Sequence, residues 1–515
     1  MAEGRGSVGR DRGNAFMSWL STERGVQPVH VQVRDKIKEL VDTGRLPPGT
    51  RVPPTRALAK VLGVSRNSVL AAYEDLAAGG LFESRGKTGT FLKAPSPGPD
   101  GRAWGHEDQI AVAPDDPWNK LSSCHVCIPG ELLLKGDPGK DVSREVMLSD
   151  AIPAFDEVSA RRFRTCLNYV LTNSPVDLLT ADDVEGYLPL RSWLASYMTE
   201  RGVSCTENNI LIVDGYLEAL SLVCRAVIRP GDVVLVEDPC ATSTISFLFC
   251  SGARIHAVPV NRTGIDLAAL EEAAAKLKPK LMCVTPVFHD PTGAVMPPDV
   301  RKGLLECAER HEFLIVENGY TDEFCYSGRL ISPLKAQDTS GRVIYAGSLG
   351  RLLFPEVRVG WIAASIAAMR TLVPVKHCMD LRTSTVLQAA CYEFCRWGYL
   401  GNHILRMRKL YIRKRDAMLK SLKEFMPEGV SWHISEGGPV AWLTLPPSLK
   451  SPILYEKARQ AGVHVGPGTA FFLEEDRGEP YLRLAYSSTP EEQIGPGIRI
   501  LGEAIRGLLT SSARK

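Results

Sequence analysis

Apolar positions recur at two periods along the chain, and the change of period divides it. Val29, Val33, Ile37, Leu40 and Val41 return at helical spacing and predict one apolar helix face. LPPGTRVP breaks that pattern. TRALAKVLG, opening near Thr55 and closing on Gly63, predicts a short second helix. RNSVLAAYEDLAAGG predicts a third, capped by Ser65 and ended by two glycines, with Val69, Leu70, Tyr73 and Leu76 toward the core. LFESRGKTGTFLK follows as two strand-like pieces about a Gly-rich turn. From Ala94 the text APSPGPDGRAWGHEDQIAVAPDDPW has no period and predicts a linker. Beyond it, short apolar runs (NILIVDG, DVVLVEDP, RIHAVPV, KLMCVTP, FLIVENGY) alternate with helical patterns such as YLEALSLVCRAVI. That rhythm predicts an α/β body built on a mostly parallel sheet. The expected organisation is an extension over 1–26, a small module over 27–93, a linker over 94–145 and a large body over 146–515.

Composition narrows the classes. With 44% hydrophobic and 23% charged residues in 515, the chain is neither disordered nor fibrous. No run reaches the ~18 apolar residues of a membrane helix, and MAEGRGSVGRDRGNAF has no apolar signal region. A cytoplasmic protein with no membrane partner is therefore expected. Its 13 cysteines are expected reduced and mostly buried. Cys124-His125-Val126-Cys127 reads as incidental cysteines or as a redox or metal switch; no second pair has zinc spacing, so no metal site is predicted. Charge is uneven: residues 1–96 hold 15 Lys and Arg against 9 Asp and Glu, so this +6 segment precedes a body of −4 within a total of +2. A basic module on an acidic body suggests a nucleic-acid partner.

The module supplies the chemistry for one. Two helices joined by a tight turn form a helix-turn-helix, whose second helix enters the major groove. Ser65, Arg66, Asn67 and Ser68 open that helix with a guanidinium, an amide and hydroxyls, the groups that reach bases and phosphates. Arg85, Lys87, Thr88 and Gly89 form the hairpin turn, a winged tip suited to phosphate contact. The stretch PVHVQVRDKIKELVDTGRLPPGTRVPPTRALAKVLGVSRNSVLAAYEDLAAGGLFESRGKTGTFL closely resembles the winged helix of the GntR family of bacterial regulators. That resemblance implies a double-stranded DNA operator, contacted by Arg56 and the SRNS segment.

The body resembles fold-type I aminotransferases. The carriers are EGYLPLRSWLASYM, the EDP of VLVEDP, HDPTGAVMP, IVENGYTDEF, YAGSLGRLLFPEVRVGW and YLRLAYS. A GntR module joined to such a body is the arrangement of the MocR subfamily. The resemblance implies a homodimer and pyridoxal phosphate held on a lysine. It also implies a carboxylate on the pyridine nitrogen, a donor on the ring hydroxyl and Ser and Arg side chains on the phosphate.

Against that pattern the sequence departs at several positions. The family segment Gly-Ser/Thr-Phe-Ser-Lys is here Gly347-Ser348-Leu349-Gly350-Arg351. A guanidinium is not an imine-forming nucleophile. Lys335 is the only lysine between Gly303 and Val375, and it lies outside the motif. The aspartate expected on the pyridine nitrogen is Asn318, in Glu317-Asn318-Gly319-Tyr320. Ala241 stands where an aromatic often stacks, and Gly215-Tyr216-Leu217-Glu218 replaces the glycine-glutamine start of the phosphate-binding helix. Other positions persist. Ser348 and Arg358 match phosphate binders, Tyr320 matches the ring-hydroxyl donor, and Arg483 matches a carboxylate-binding arginine. Asp290 replaces the asparagine of Asn-Pro-Thr-Gly. Each also has a structural reading; Arg358, for instance, could simply pair with a carboxylate.

No covalent cofactor is therefore expected. The leading expectation is a DNA-binding regulator whose inactive body senses a small anionic effector through Arg351, Arg358 and Arg483. The alternatives are a regulator holding pyridoxal phosphate non-covalently, a working aminotransferase with a DNA module, and a pure dimerisation scaffold.

Overall fold

The computed structural model describes residues 28–42, 50–78, 81–84, 89–92, 145–173, 178, 180, 183–261, 264–319, 322–433 and 435–512. They fall in two compact units, Met1–Lys120 and Leu121–Lys515.

The first unit contains α1 (Val29–Asp42), α2 (Thr55–Leu62), α3 (Arg66–Ala78) and an antiparallel hairpin of β1 (Phe82–Ser84) and β2 (Thr90–Leu92). Val33, Ile37 and Leu40 are buried together with Leu58, Val69, Tyr73, Leu76, Phe82 and Leu92. Each full burial of such a side chain is worth about 1.5–3 kcal/mol. Gly63 ends α2 in the left-handed region at φ 64°, with its N–H on the Ala59 carbonyl. The Ser65 hydroxyl accepts the Ser68 N–H at 3.0 Å, so it caps α3 as the sequence suggests. One expectation fails: Leu70 is exposed. Val69, Ala72, Tyr73 and Leu76 already fill the inward stripe, and Leu70 stands about 100° from Val69 around the helix.

Along the second unit come β3 (Val146–Met147), β4 (Ile210–Val213), α4 (Tyr216–Val227), β5 (Val233–Asp238), β6 (Arg254–Asn261), β7 (Gly264–Ile265), β8 (Leu281–Val284), β9 (Leu314–Asn318), β10 (Val343–Ser348), β11 (Gly360–Ala363), α5 (Ile366–Met379), α6 (Tyr399–Phe425), β12 (Ser431–His433), β13 (Val440–Thr444), β14 (Val463–His464), β15 (Gly466–Pro467) and β16 (Tyr481–Ala485), with further helices between them. Eight strands make the large sheet in the order β4-β11-β10-β9-β8-β5-β6-β7. The pairs β10/β9, β9/β8, β8/β5 and β5/β6 are parallel; β11 runs antiparallel to both neighbours. Strands β4, β5, β8, β10 and β11 are buried at every position, because helices cover both faces. This is why they appear in the sequence as unbroken apolar runs.

A second, antiparallel sheet has the order β12-β13-β16-β15, and β3 pairs in parallel with β14. Among the described cysteines only Cys250 and Cys378 are exposed, and all are free. No described helix is long and apolar enough to cross a membrane. Cys124, Cys127 and all of the expected linker except Glu145 lie outside the described residues.

Candidate functional site

In the first unit, Arg56, Ser65, Arg66 and Asn67 are exposed and Ser68 is half-buried. The cap bond to Ser65 fixes the start of α3, so Arg66 and Asn67 project from its first turn. Gly89 sits in the left-handed region at φ 113°, and a Cβ there would come within 2.9 Å of Arg51 Nε. Arg85, Lys87 and Thr88 lie outside the described residues. Sequence reasoning missed Arg51. It is exposed and forms an antiparallel bridge with Phe91, which places a guanidinium beside the hairpin.

In the second unit a cleft of about 410 Å³ opens at the C-terminal ends of the sheet strands. Much of its lining lies at or just beyond strand ends. Asp214 and Gly215 follow β4, Ala241 and Ser243 follow β5, and Asp290 follows β8. Asn318 ends β9 and Ser348 ends β10, while Arg351 and Arg358 lie between β10 and β11. Five of the sequence-predicted ligand residues therefore meet: Asp290, Asn318, Ser348, Arg351 and Arg358. Tyr320 lies outside the described residues.

Most of these groups already have partners. Ser348 Oγ accepts the Arg351 N–H at 3.3 Å, capping a single helical turn, and Arg351 Nη1 donates to the Ala151 carbonyl at 3.3 Å. Arg358 Nη2 lies 3.3 Å from the Asp214 carboxylate, and its backbone holds a left-handed φ of 44°. Arg483, on β16, does not line the cleft. Its Nη1 grips both Asp290 oxygens at 2.9 and 3.1 Å, and its Nη2 donates to the Ser149 carbonyl. Neighbouring His289 is buried, with Nε2 3.3 Å from Glu237; burial alone would lower its pKa, but the Glu237 charge outweighs this and raises it. The buried Oδ1 of Asn318 has no hydrogen-bond partner, and neither does the buried Nε of Arg483. Gly319 beside it is required, since a Cβ there would run into the Tyr345 ring.

The sequence matches the family model for aminotransferase class I and II over residues 169–501, and that for bacterial regulatory proteins of the gntR family over 30–92. The chain belongs to the aminotransferase class I and II family and carries a gntR-type DNA-binding module, as MocR-type regulators do. It is 35% identical over 372 residues to aromatic-amino-acid aminotransferase 1 of Thermococcus litoralis, covering 71% of this chain and 89% of that protein. To the probable rhizopine catabolism regulatory protein MocR of Rhizobium meliloti it is 28% identical over 493 residues, covering 94% and 95%. The multiple substrate aminotransferase of Thermococcus profundus superposes with a TM-score of 0.67 at 33% identity, covering 74% of this chain and 97% of that one.

The body of this MocR-type chain thus has a fold that normally works with pyridoxal phosphate. No residue lining its cleft, among the described residues, is a lysine. Lys335 is held by Asp338 at 2.8 Å and does not line the cleft. Sequence reasoning did not single out two carboxylates that the cleft brings together, Asp214 and Glu218. Glu218 accepts the Asp214 N–H at 2.5 Å and the Lys376 ammonium at 2.9 Å. The available signal was an acid on each side of Gly215 at the head of a helix, where negative charge is favoured.

Proposed function

We propose that this protein is a cytoplasmic transcription regulator that binds operator DNA through the first turn of α3. In this reading its aminotransferase-like body has no transaminase activity and senses a small anionic effector. The observation that carries the reading is the cleft itself, which presents Arg351 and, among the described residues, no lysine. Arg351 is charged at any physiological pH and cannot form an imine. Asn318 cannot offset a pyridinium charge as a carboxylate does, and Ala241 offers no ring to stack. Gly350 contributes no hydroxyl, and Arg358 already carries the Asp214 carboxylate. This set does not fit a covalently held pyridoxal phosphate. It suits a reversibly bound anion placed beside Arg351 and Arg358. Two copies of the chain, as the family resemblance implies, would set two modules on two half-sites.

The test combines two measurements on the full chain. Operator DNA should be bound selectively, as read by fluorescence anisotropy against scrambled duplex. The purified protein incubated with pyridoxal phosphate should show no borohydride-sensitive near-visible band and no amino-group transfer to a keto acid. A mass shift showing pyridoxal phosphate on any lysine, with transfer activity, would overturn the reading.

A second reading rests on Asn318. Its unpartnered Oδ1 could accept a hydrogen bond from a ring N–H, so a regulator holding pyridoxal phosphate non-covalently is the alternative.

A further inference from the structure

One end of the cleft brings together a helix start, a hydroxyl and a guanidinium. Helix α4 runs for twelve residues from Tyr216, and its first turn faces the cleft through Gly215, Tyr216 and Leu217. Unpaired N–H groups at a helix start favour negative charge. The Ser348 hydroxyl and the Arg358 guanidinium line the same cleft. The buried Oδ1 of Asn318, on a residue only 5% exposed, lines the same cleft as an acceptor without a partner.

The chain itself already meets much of this positive potential. Asp214 stands just before the helix and pairs with Arg358. Glu218 sits in the first turn and accepts the Asp214 N–H. Asp380 joins them, and the carboxylates of all three come within 4.8 Å of one another. Lys376 and Arg358 are the cations paired with these acids. With Arg351 also lining the cleft, three carboxylates stand against three cations, so the chain leaves no spare positive charge here for a dianion. A phosphate carries up to two charges and would have to settle beside these acids while displacing Asp214 from Arg358. Like charges at such range repel strongly outside bulk water.

We infer that Asp214 is a built-in counter-ion that occupies the place of a ligand phosphate and excludes phosphate esters from the cleft. This deepens the proposed function, on which it rests: the effector is a carboxylate-bearing anion without a phosphate. Glu218 supports the exclusion by holding the Asp214 backbone and adding its own charge.

Pyridoxal 5′-phosphate and pyridoxal, which differ only in the phosphate, are the probes, with inorganic phosphate as a third. Affinities are read by calorimetry on the full chain. Wild type is expected to bind the phosphorylated probe no better than pyridoxal. Asp214→Asn keeps the size and removes the charge. It should bind pyridoxal 5′-phosphate and inorganic phosphate at least tenfold tighter than wild type, with pyridoxal unchanged. Asp214→Glu restores the charge and should behave as wild type.

A preference of wild type for the phosphorylated probe beyond measurement error would overturn the inference, whatever the variants do. So would a folded Asp214→Asn, checked by its melting curve, with no gain. Non-covalent tight binding by wild type would sink this inference alone. A borohydride-trapped adduct on a lysine would sink the proposed function as well.

Discussion

The ammonium of Lys376 lies 2.9 Å from the Glu218 carboxylate and 3.0 Å from each oxygen of Asp380, and it also reaches the Thr383 hydroxyl at 3.3 Å. Lys376 is fully buried and lies directly behind a residue of the cleft wall. It is a structural cation and not a spare nucleophile.

Removing it should be costly. A buried pair broken from one side leaves an uncompensated charge, typically about 3–5 kcal/mol. Lys376→Ala is expected near the lower end, since Asp380 is about one-third exposed. Arg351→Ala changes an exposed residue and should shift stability by less than about 0.5 kcal/mol. Urea unfolding of the two variants checks the contrast; equal losses would show that Lys376 is not anchoring the wall.

Arg351→Lys places an amine where the resemblance to the family implies its nucleophile. Asn318, Gly350, Ala241 and the Asp214–Arg358 pair stay unchanged. The expected outcome is no borohydride-sensitive band after incubation with pyridoxal phosphate. Appearance of that band in the single variant would mean that only the nucleophile is missing.

Arg66→Ala should relax operator selectivity by ~1–3 kcal/mol while sparing the fold, because Arg66 is exposed at the first turn of α3 and takes no part in the core. Anisotropy titrations against operator and scrambled duplex measure the ratio. Undiminished selectivity would remove Arg66 from the reading surface.

Asp156 provides a pH test. Burial alone would raise its pKa, but hydrogen bonds from Arg406, Ser159 and His403 outweigh this and lower it from 3.8 to about 2. A depressed carboxylate stabilises the fold above its unfolded pKa and loses that contribution as pH falls through the folded value. Asp156→Asn should therefore cost about 1.5–3 kcal/mol at neutral pH. The gap to wild type should hold down to pH ~4 and close toward pH ~2. A gap that does not vary with pH would mean that packing, and not charge, is what the side chain contributes.

The fold was legible where one physical signal dominated. Unbroken apolar runs announced the buried strands β4, β5 and β8, and the 29–41 stripe announced α1. Leu70 misled because an apolar residue beside a filled stripe has no room inward. In the site, Asp290, Asn318, Ser348, Arg351 and Arg358 were legible through the aminotransferase resemblance, and the structure brings them to one cleft. What they pair with was not legible. Asp290 is 193 residues from Arg483, and Asp214 is 144 from Arg358. Those pairings exist only once the sheets are assembled, so Arg483 read as a ligand group although an internal carboxylate holds it.

If the effector binds at Arg358 as proposed, its entry is an ion exchange at the Asp214–Arg358 pair: one carboxylate leaves the guanidinium as another arrives, so the number of charge contacts is nearly conserved. Both partners are partly exposed, at 65% and 34%, and mobile ions screen the outgoing and the incoming contact alike. Effector affinity should therefore change little with ionic strength. Operator affinity should fall steeply, because each neutralised phosphate releases counter-ions from the duplex. Ionic strength then becomes a control that loosens one partner of this chain and leaves the other in place.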